Sequence, residues 1–400
     1  MKMKIGDITE IIDGDRGKNY PKKSDFKDEG FCLFLNTGNV TSDGFVFKKN
    51  DFISEEKSNK LRKGKLERGD LVFTTRGTVG NVAYYSDNIP YDHVRINSGM
   101  VIFRVFEKKV FNKFLYQILK HKNSRIYIRQ YCTGSAQPQL PIMNLRNIEL
   151  NIPPLETQYK IARILLAYDD LIENNERQIK LLEEAAQRLY KEWFVDLHFP
   201  GYEDVEIVDG VPEGWTSGVL GDVAINSGKK EKKEKRNNYK YYLPIDCIPK
   251  KSLGYDQVKD VSLAKSSLIG FQKGDILFGA MRPYFHKVVV ARDKGLTRTT
   301  CFVLNAKEPS YWSYIAMLLF TNDTVDYATQ ISVGTTMPYV RWKDMRNMLI
   351  IIPDEEIAES FNKQIQPIID NIASLSEQII LLQQARDRLL PKLMSGEIEV

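Results

Sequence analysis

Four hundred residues, 42% of them hydrophobic and 27% charged, suit two globular domains and exclude wholesale disorder. No apolar run approaches the roughly 18 residues that span a bilayer, and Met1–Lys4 has no apolar stretch behind it, so the expectation is a cytoplasmic chain with neither membrane span nor signal peptide. A formal charge of +5 permits a nucleic-acid partner without establishing one, and Cys32, Cys132, Cys247 and Cys301 are too scattered for a zinc cage or a disulfide framework.

The chain opens with Ile5-Gly6-Asp7-Ile8 and a strand-rich portion. Leu71–Thr75, Val82–Tyr85 and Met100–Phe106 are short β-branched or aromatic runs bounded by Gly, Asp and Asn, the pattern of strands. An i, i+3/i+4 apolar pattern predicts a short helix at about 111–120. Gly134-Ser135-Ala136-Gln137-Pro138 follows, and Pro153-Pro154 then breaks the chain. From Glu156 to Asp196, Leu165, Ile172, Ile179, Ala186 and Trp193 recur every seven residues, with Tyr168, Asn175, Leu182 and Leu189 three behind. Sustained heptads of this kind predict a coiled-coil helix on the order of 60 Å long.

The plan then repeats. Gly334-Thr335-Thr336-Met337-Pro338 stands two hundred positions after its counterpart, and the register holds through Arg346-Asn347-Met348 and Ile352-Pro353. Upstream, Gly274-Asp275-Ile276-Leu277-Phe278 matches Gly69-Asp70-Leu71-Val72-Phe73, and Leu220-Gly221-Asp222-Val223 matches the opening motif. Ile276–Phe278, Val288–Ala291 and Cys301–Leu304 read as strands, and 311–320 as the second short helix. The second long segment, Glu355–Met394, carries Ile365, Ile372, Ile379, Arg386 and Leu393 on the same seam, with Ile368, Leu375, Leu382 and Leu389 beside them. A period this long is a tandem pair of domains, not a solenoid. Matched seams predict that the two helices pair with each other, antiparallel, with Asn175 and Arg386 as the polar exceptions that set register, and Pro367 kinking or delaying the second helix. The fold class is therefore α+β: two pseudo-repeated domains separated by two long α-helices that form an antiparallel coiled coil.

Catalytic signatures are missing. There is no Walker A loop, no His-Glu-x-x-His among four histidines and no Gly-x-Ser-x-Gly. Binding chemistry remains: Lys and Arg interleave with aromatics and amides in Arg16–Tyr20, Arg125–Tyr131, Arg282–Lys287 and Tyr339–Lys343. Such side chains neutralise phosphates and read base edges. The candidates for DNA contact are Arg16, Lys18, Arg76, Arg129, Ser135 and Gln137 in the first half, and Lys229, Lys230, Arg282, Tyr284, Lys287, Thr335 and Arg341 in the second. The run Lys229–Arg236 also fits a solvated loop, because Glu231 and Glu234 dilute it, and Gly77 and Gly80 fit turns.

The half-chain duplication, the paired Gly-Asp-Leu-Val-Phe and Gly-Asp-Ile-Leu-Phe strands, the Gly-Ser/Thr-x-x-Pro loops, Ile152-Pro153-Pro154-Leu155-Glu156-Thr157-Gln158 and the connector Phe199-Pro200-Gly201-Tyr202 to Trp215 together resemble the specificity (S) subunit of type I restriction–modification systems. The likeness covers nearly the whole chain. It implies a first target recognition domain at 1–153, a first long helix at 154–197, a linker at 198–216, a second target recognition domain at 217–353 and a second long helix at 354–400. It further implies a subunit without catalytic or metal-binding residues that reads an asymmetric, bipartite double-stranded DNA target, one half-site per domain. Two modification (methyltransferase) subunits would dock on the paired helices, for which Glu173, Arg177 and Glu184 are candidate contacts, and restriction subunits would join them. S-adenosylmethionine, ATP and Mg2+ belong to those partners in this picture, and no cofactor to this chain. Two departures stand out: Met337 replaces the glutamine found at Gln137, and Pro353-Asp354-Glu355-Glu356-Ile357-Ala358 lacks Pro-Leu-x-x-Gln. A coiled-coil spacer for RNA or protein, and a degenerate methyltransferase or nuclease, are the alternatives.

Overall fold

The computed structural model describes residues 1–134 and 137–400, which fall into two compact units: Met1–Asp169 with Ala385–Val400, and Asp170–Gln384. In chain order the elements that matter are β1 (Thr9–Asp13), β2 (Leu71–Thr74), β3 (Val82–Tyr84), β4 (Met100–Val105), α1 (Asn112–Lys120), α2 (Lys122–Arg129) and the long α3 (Leu155–Phe194). Then come β5 (Ala224–Asn226), β6 (Ile276–Gly279), β7 (Val288–Val290), β8 (Cys301–Ala306), α4 (Trp312–Leu319), α5 (Asn322–Gln330) and the long α6 (Glu355–Ser395).

Each unit centres on a four-stranded antiparallel sheet, ordered β1-β4-β2-β3 in the first and β5-β8-β6-β7 in the second. Their strands read as unbroken apolar runs because both faces are buried. Leu71, Phe73, Val101 and Phe103 face one core with α1, while Val72, Ala83, Met100 and Ile102 face another core shared with a smaller sheet around Cys32–Leu35. In the second unit Ile276, Phe278, Phe302 and Leu304 face the helices, and Leu277, Val289, Cys301 and Val303 face the sheet that contains Leu268–Phe271. Cys32, Cys247 and Cys301 are free thiols packed in these interiors, and Cys132 is half-buried.

Within each unit the two long helices lie side by side and antiparallel. In the second unit Ile172, Ile179, Ala186 and Trp193 of α3 share one core with Phe361, Ile365, Ile372 and Ile379 of α6. Asn175 Nδ2 donates to Gln378 Oε1 at 3.2 Å toward one end, and the rings of Trp193 and Phe361 meet at 5.5 Å toward the other. In the first unit Ile161, Ala162 and Leu165 pack with Leu390 and Leu393. There Asp169 accepts from Arg386 Nη1 and from Gln117 Nε2 at 2.5 Å, with Lys120 Nζ 3.4 Å away. Both polar exceptions in the seams thus have partners, as expected of groups that select one register.

Pro367 does not delay the second helix: α6 begins well before it and continues past it. Pro367 and Lys363 are both exposed, so water can take the carbonyl that the missing N–H leaves free. The two helix starts are held differently. Gln158, fully buried, accepts from Phe111 N at 2.8 Å and donates to the carbonyls of Lys109 and Pro153. The equivalent Ala358 cannot do this, and α6 is tied instead by Asn362 Oδ1 to Ser313 and by Tyr311 Oη to the Pro353 carbonyl.

Burial alone would raise the Asp169 carboxyl, but Lys120, Gln117 and Arg386 outweigh it and hold its pKa below the ordinary value. An acid depressed in the fold contributes stability above its unfolded pKa and loses it as pH falls. Asp169→Asn should therefore cost about 2 kcal/mol at neutral pH, measured by urea denaturation, and the deficit should shrink below about pH 4.

Candidate nucleic-acid interface

Several of the candidate contacts lie on a two-loop platform that recurs in both units. In the first, the β2–β3 turn (residues 75–81) lies against Gln139 and Leu140: Thr75 N and Arg76 N donate to the Gly99 carbonyl at 2.9 and 3.1 Å, and Leu140 N donates to Thr75 O at 2.9 Å. In the second, the β6–β7 turn (residues 280–287) repeats the scheme. Ala280 N and Met281 N donate to Thr300 O at 2.9 and 3.3 Å, and Val340 N donates to Ala280 O at 3.0 Å. Bridges of Arg76 with Gln139, and of Met281 with Tyr339, complete each pair of loops.

The first platform exposes Arg76 and Gln137. Arg16 reaches its rim, donating to the Ser98 carbonyl at 3.3 Å while pairing with Asp13. Lys18 is exposed on the adjoining loop, between Gly17, held by Asp15, and Asn19, held by the Lys60 carbonyl. Arg129 is exposed at the end of α2, where the chain enters the 133–139 loop, and Arg125 is spent on Asn81 Oδ1 at 2.7 Å. Ser135 lies outside the described residues.

On the second platform Arg282 and Tyr284 occupy the turn, and Thr335 is exposed on the facing loop. Arg282 Nη2 donates to Thr336 O at 3.2 Å, tying the loops together. Arg341 is exposed but paired with Asp344 at 2.6 Å, which mutes its charge. Lys287 points elsewhere: its ammonium donates to the Ile245 carbonyl at 2.5 Å, and burial lowers its pKa. Lys229 and Lys230 stand on the exposed edge strand of the smaller sheet, opposite Gly270 and Ile269, apart from the two loops. His286 is buried with Nε2 against the Phe320 carbonyl at 3.0 Å, and desolvation holds its pKa below the ordinary histidine value.

The turns themselves escape a sequence reading in one respect. The Gly69/Gly274 match places Gly77 opposite Arg282, and both have positive φ, +69° and +51°. Nothing in a lone arginine announces a left-handed residue; only the repeat register exposes it.

The helix surfaces hold the remaining candidates. Glu173 pairs with Arg177 at 3.2 Å and Glu184 lies 3.9 Å from Lys180, all on the outer face of α3. Leu171 and Leu181 of α3 and Leu381 of α6 are each at least half exposed, and Leu181 and Leu381 occupy equivalent positions of the two helices. On the inner side Glu183 is buried and accepts from Leu253 N at 2.7 Å and Ser252 Oγ at 2.6 Å, fastening the second domain to α3. Among the described residues no cluster of three or more His, Cys, Asp or Glu side chains is placed to hold a metal, and no helix is long and apolar enough to cross a membrane.

Residues 1–184 and 212–384 match the family model described as type I restriction modification DNA specificity domain. The chain is 28% identical, over 83% of its length and 78% of the relative's, to the type I restriction enzyme MjaIX specificity subunit of Methanocaldococcus jannaschii. It is 22% identical, over 98% of its length and 100% of the relative's, to the HindI specificity subunit of Haemophilus influenzae. A crystal structure of the type I restriction–modification S subunit from M. genitalium shares the fold, with a TM-score of 0.58 at 14% identity and 98% and 95% coverage of the two chains.

A Cβ on Gly77 would meet only Thr37 Oγ1 at 3.7 Å, so Gly77→Ala tests the backbone alone. Thermal or urea denaturation should show the first unit destabilised by about 1 kcal/mol.

Proposed function

We propose a division of labour for this chain, which belongs to the type I restriction modification DNA specificity family and is a specificity subunit: each unit reads one half of a bipartite, asymmetric DNA target through its two-loop platform. The observation that carries this is the recurrence of one backbone hydrogen-bond scheme under different side chains, Arg76 and Gln137 in one unit, Arg282, Tyr284, Thr335 and Met337 in the other. Equal scaffolds with unequal contact residues read unequal half-sites. Arg76 and Gln137 have the hydrogen-bonding chemistry for purine edges, while Arg16, Lys18 and Arg129 supply phosphate neutralisation around them.

Two modification subunits dock on the outer faces of α3 and α6 in this reading, supported by the equivalent exposed Leu181 and Leu381 and by the charged rim of Glu173, Arg177 and Glu184. Restriction subunits join that assembly in the cytoplasm. Methyl transfer, with S-adenosylmethionine, and ATP- and Mg2+-dependent cleavage reside on the partners, and this chain contributes no catalytic group.

Binding of the complex with its modification subunits to duplexes varied in one half-site at a time tests the modular part. Arg76→Ala combined with Gln137→Ala should lower discrimination by about tenfold or more at one half-site and leave the other unchanged. Equal loss at both would refute one half-site per unit.

A further inference from the structure

The β6–β7 turn carries a feature that the β2–β3 turn lacks. Arg282 and His286, at either end of Pro283-Tyr284-Phe285, both adopt left-handed backbone conformations at φ +51°. Side chains with a Cβ disfavour that region, and such residues persist only where their surroundings over-determine them. Here Arg282 N donates to Pro338 O at 2.7 Å, the His286 ring contacts the Phe320 carbonyl, and Lys251 N donates to His286 O at 2.8 Å. Among the described residues Arg282 Nε is moreover buried without a hydrogen-bond partner, a second cost borne by the same turn. The first unit relaxes the same bend with Gly77 and Gly80, and its apex turns Val79 into the core.

What this rigid turn presents is one aromatic ring. Tyr284 is 48% exposed, braced edge-on by Phe285 at 4.8 Å, and Lys250 Nζ sits 4.1 Å above the Phe285 ring. A stiff aromatic beside cations matches a base step flanked by phosphates, where apolar or aromatic wedges part the stack.

We propose that Tyr284 is a wedge residue: its ring enters the base stack of the second half-site at a pyrimidine–purine step and unstacks it, so that the second unit selects sequence partly through deformability. Steps of that type part most readily, and a step that resists would be rejected without any hydrogen bond to it. This rests on the half-site reading above and names the recognition mode of the second platform.

The test uses the complex with modification subunits and target duplexes carrying 2-aminopurine at successive steps of either half-site, avoiding the methylated adenine. With the natural chain and with Tyr284→Phe, fluorescence should rise severalfold at one step of the second half-site only. With Tyr284→Ser the rise should vanish, affinity should fall about tenfold, and preference for the pyrimidine–purine step should be lost while first-half-site selectivity and thermal stability stay unchanged. A rise that survives Tyr284→Ser overturns the wedge, as does Tyr284→Phe behaving like Tyr284→Ser, which would mark a hydroxyl contact instead. If the natural complex shows no sequence selectivity at all, the half-site reading fails and the wedge with it; intact selectivity that ignores Tyr284 sinks the wedge alone.

Discussion

The antiparallel matching of two long helices is the constraint from which the other features follow. A heptad seam repeated two hundred residues apart lets one helix bury its apolar stripe on the other, and in each unit the paired segments form the floor of the core. Apolar stripes tolerate slippage by a heptad, so register is set by polar groups that find partners in one alignment alone. Asn175 with Gln378, and Asp169 with Arg386, Gln117 and Lys120, are such groups. Lys120 and Gln117 belong to α1, so the Asp169 cluster fixes helix register and domain attachment together. Glu183 does the same service in the second unit through Ser252 and Leu253. Gly254 shows how close that attachment is, since a Cβ there would sit 2.2 Å from Ser376 Oγ.

On these foundations the two sheets present equivalent turns, and the contrast between them is instructive. One scaffold supports a glycine-built turn with an exposed arginine, and the other a strained turn with an exposed tyrosine. The scaffold hydrogen bonds run between main-chain atoms, so side chains at the turns can change without disturbing them. That separation of support from contact lets the contact residues vary on a fixed main-chain scaffold.

Much of this was legible in the sequence, for identifiable reasons. Long periodic segments announce themselves, hence α3 and α6; the central strands are legible because burial on both faces makes Leu71–Phe73 and Ile276–Phe278 continuously apolar. α2 was hidden because Ile126-Tyr127-Ile128 is a short consecutive run of β-branched and aromatic residues, of which only Ile128 is buried, and such a run reads as readily as a strand. The place of Pro367 inside α6 was not legible, because a proline is tolerated where water reaches the opened carbonyl, which composition cannot say. Among the candidate contacts, exposure separates Arg76 and Gln137 from Lys287, whose ammonium is spent on a main-chain carbonyl forty-two positions away. Lone cations look alike in a sequence, and only the fold shows which are free.

The pairing of the long helices can be read directly by cysteine cross-linking of Asn175→Cys with Gln378→Cys, whose natural side chains meet at 3.2 Å. A short bifunctional maleimide should link the two thiols within one chain, in high yield, while sequence-selective binding of the complex persists. A bond that forms only between chains, or none under conditions where both thiols react freely with a small reagent, would contradict the antiparallel intramolecular pair.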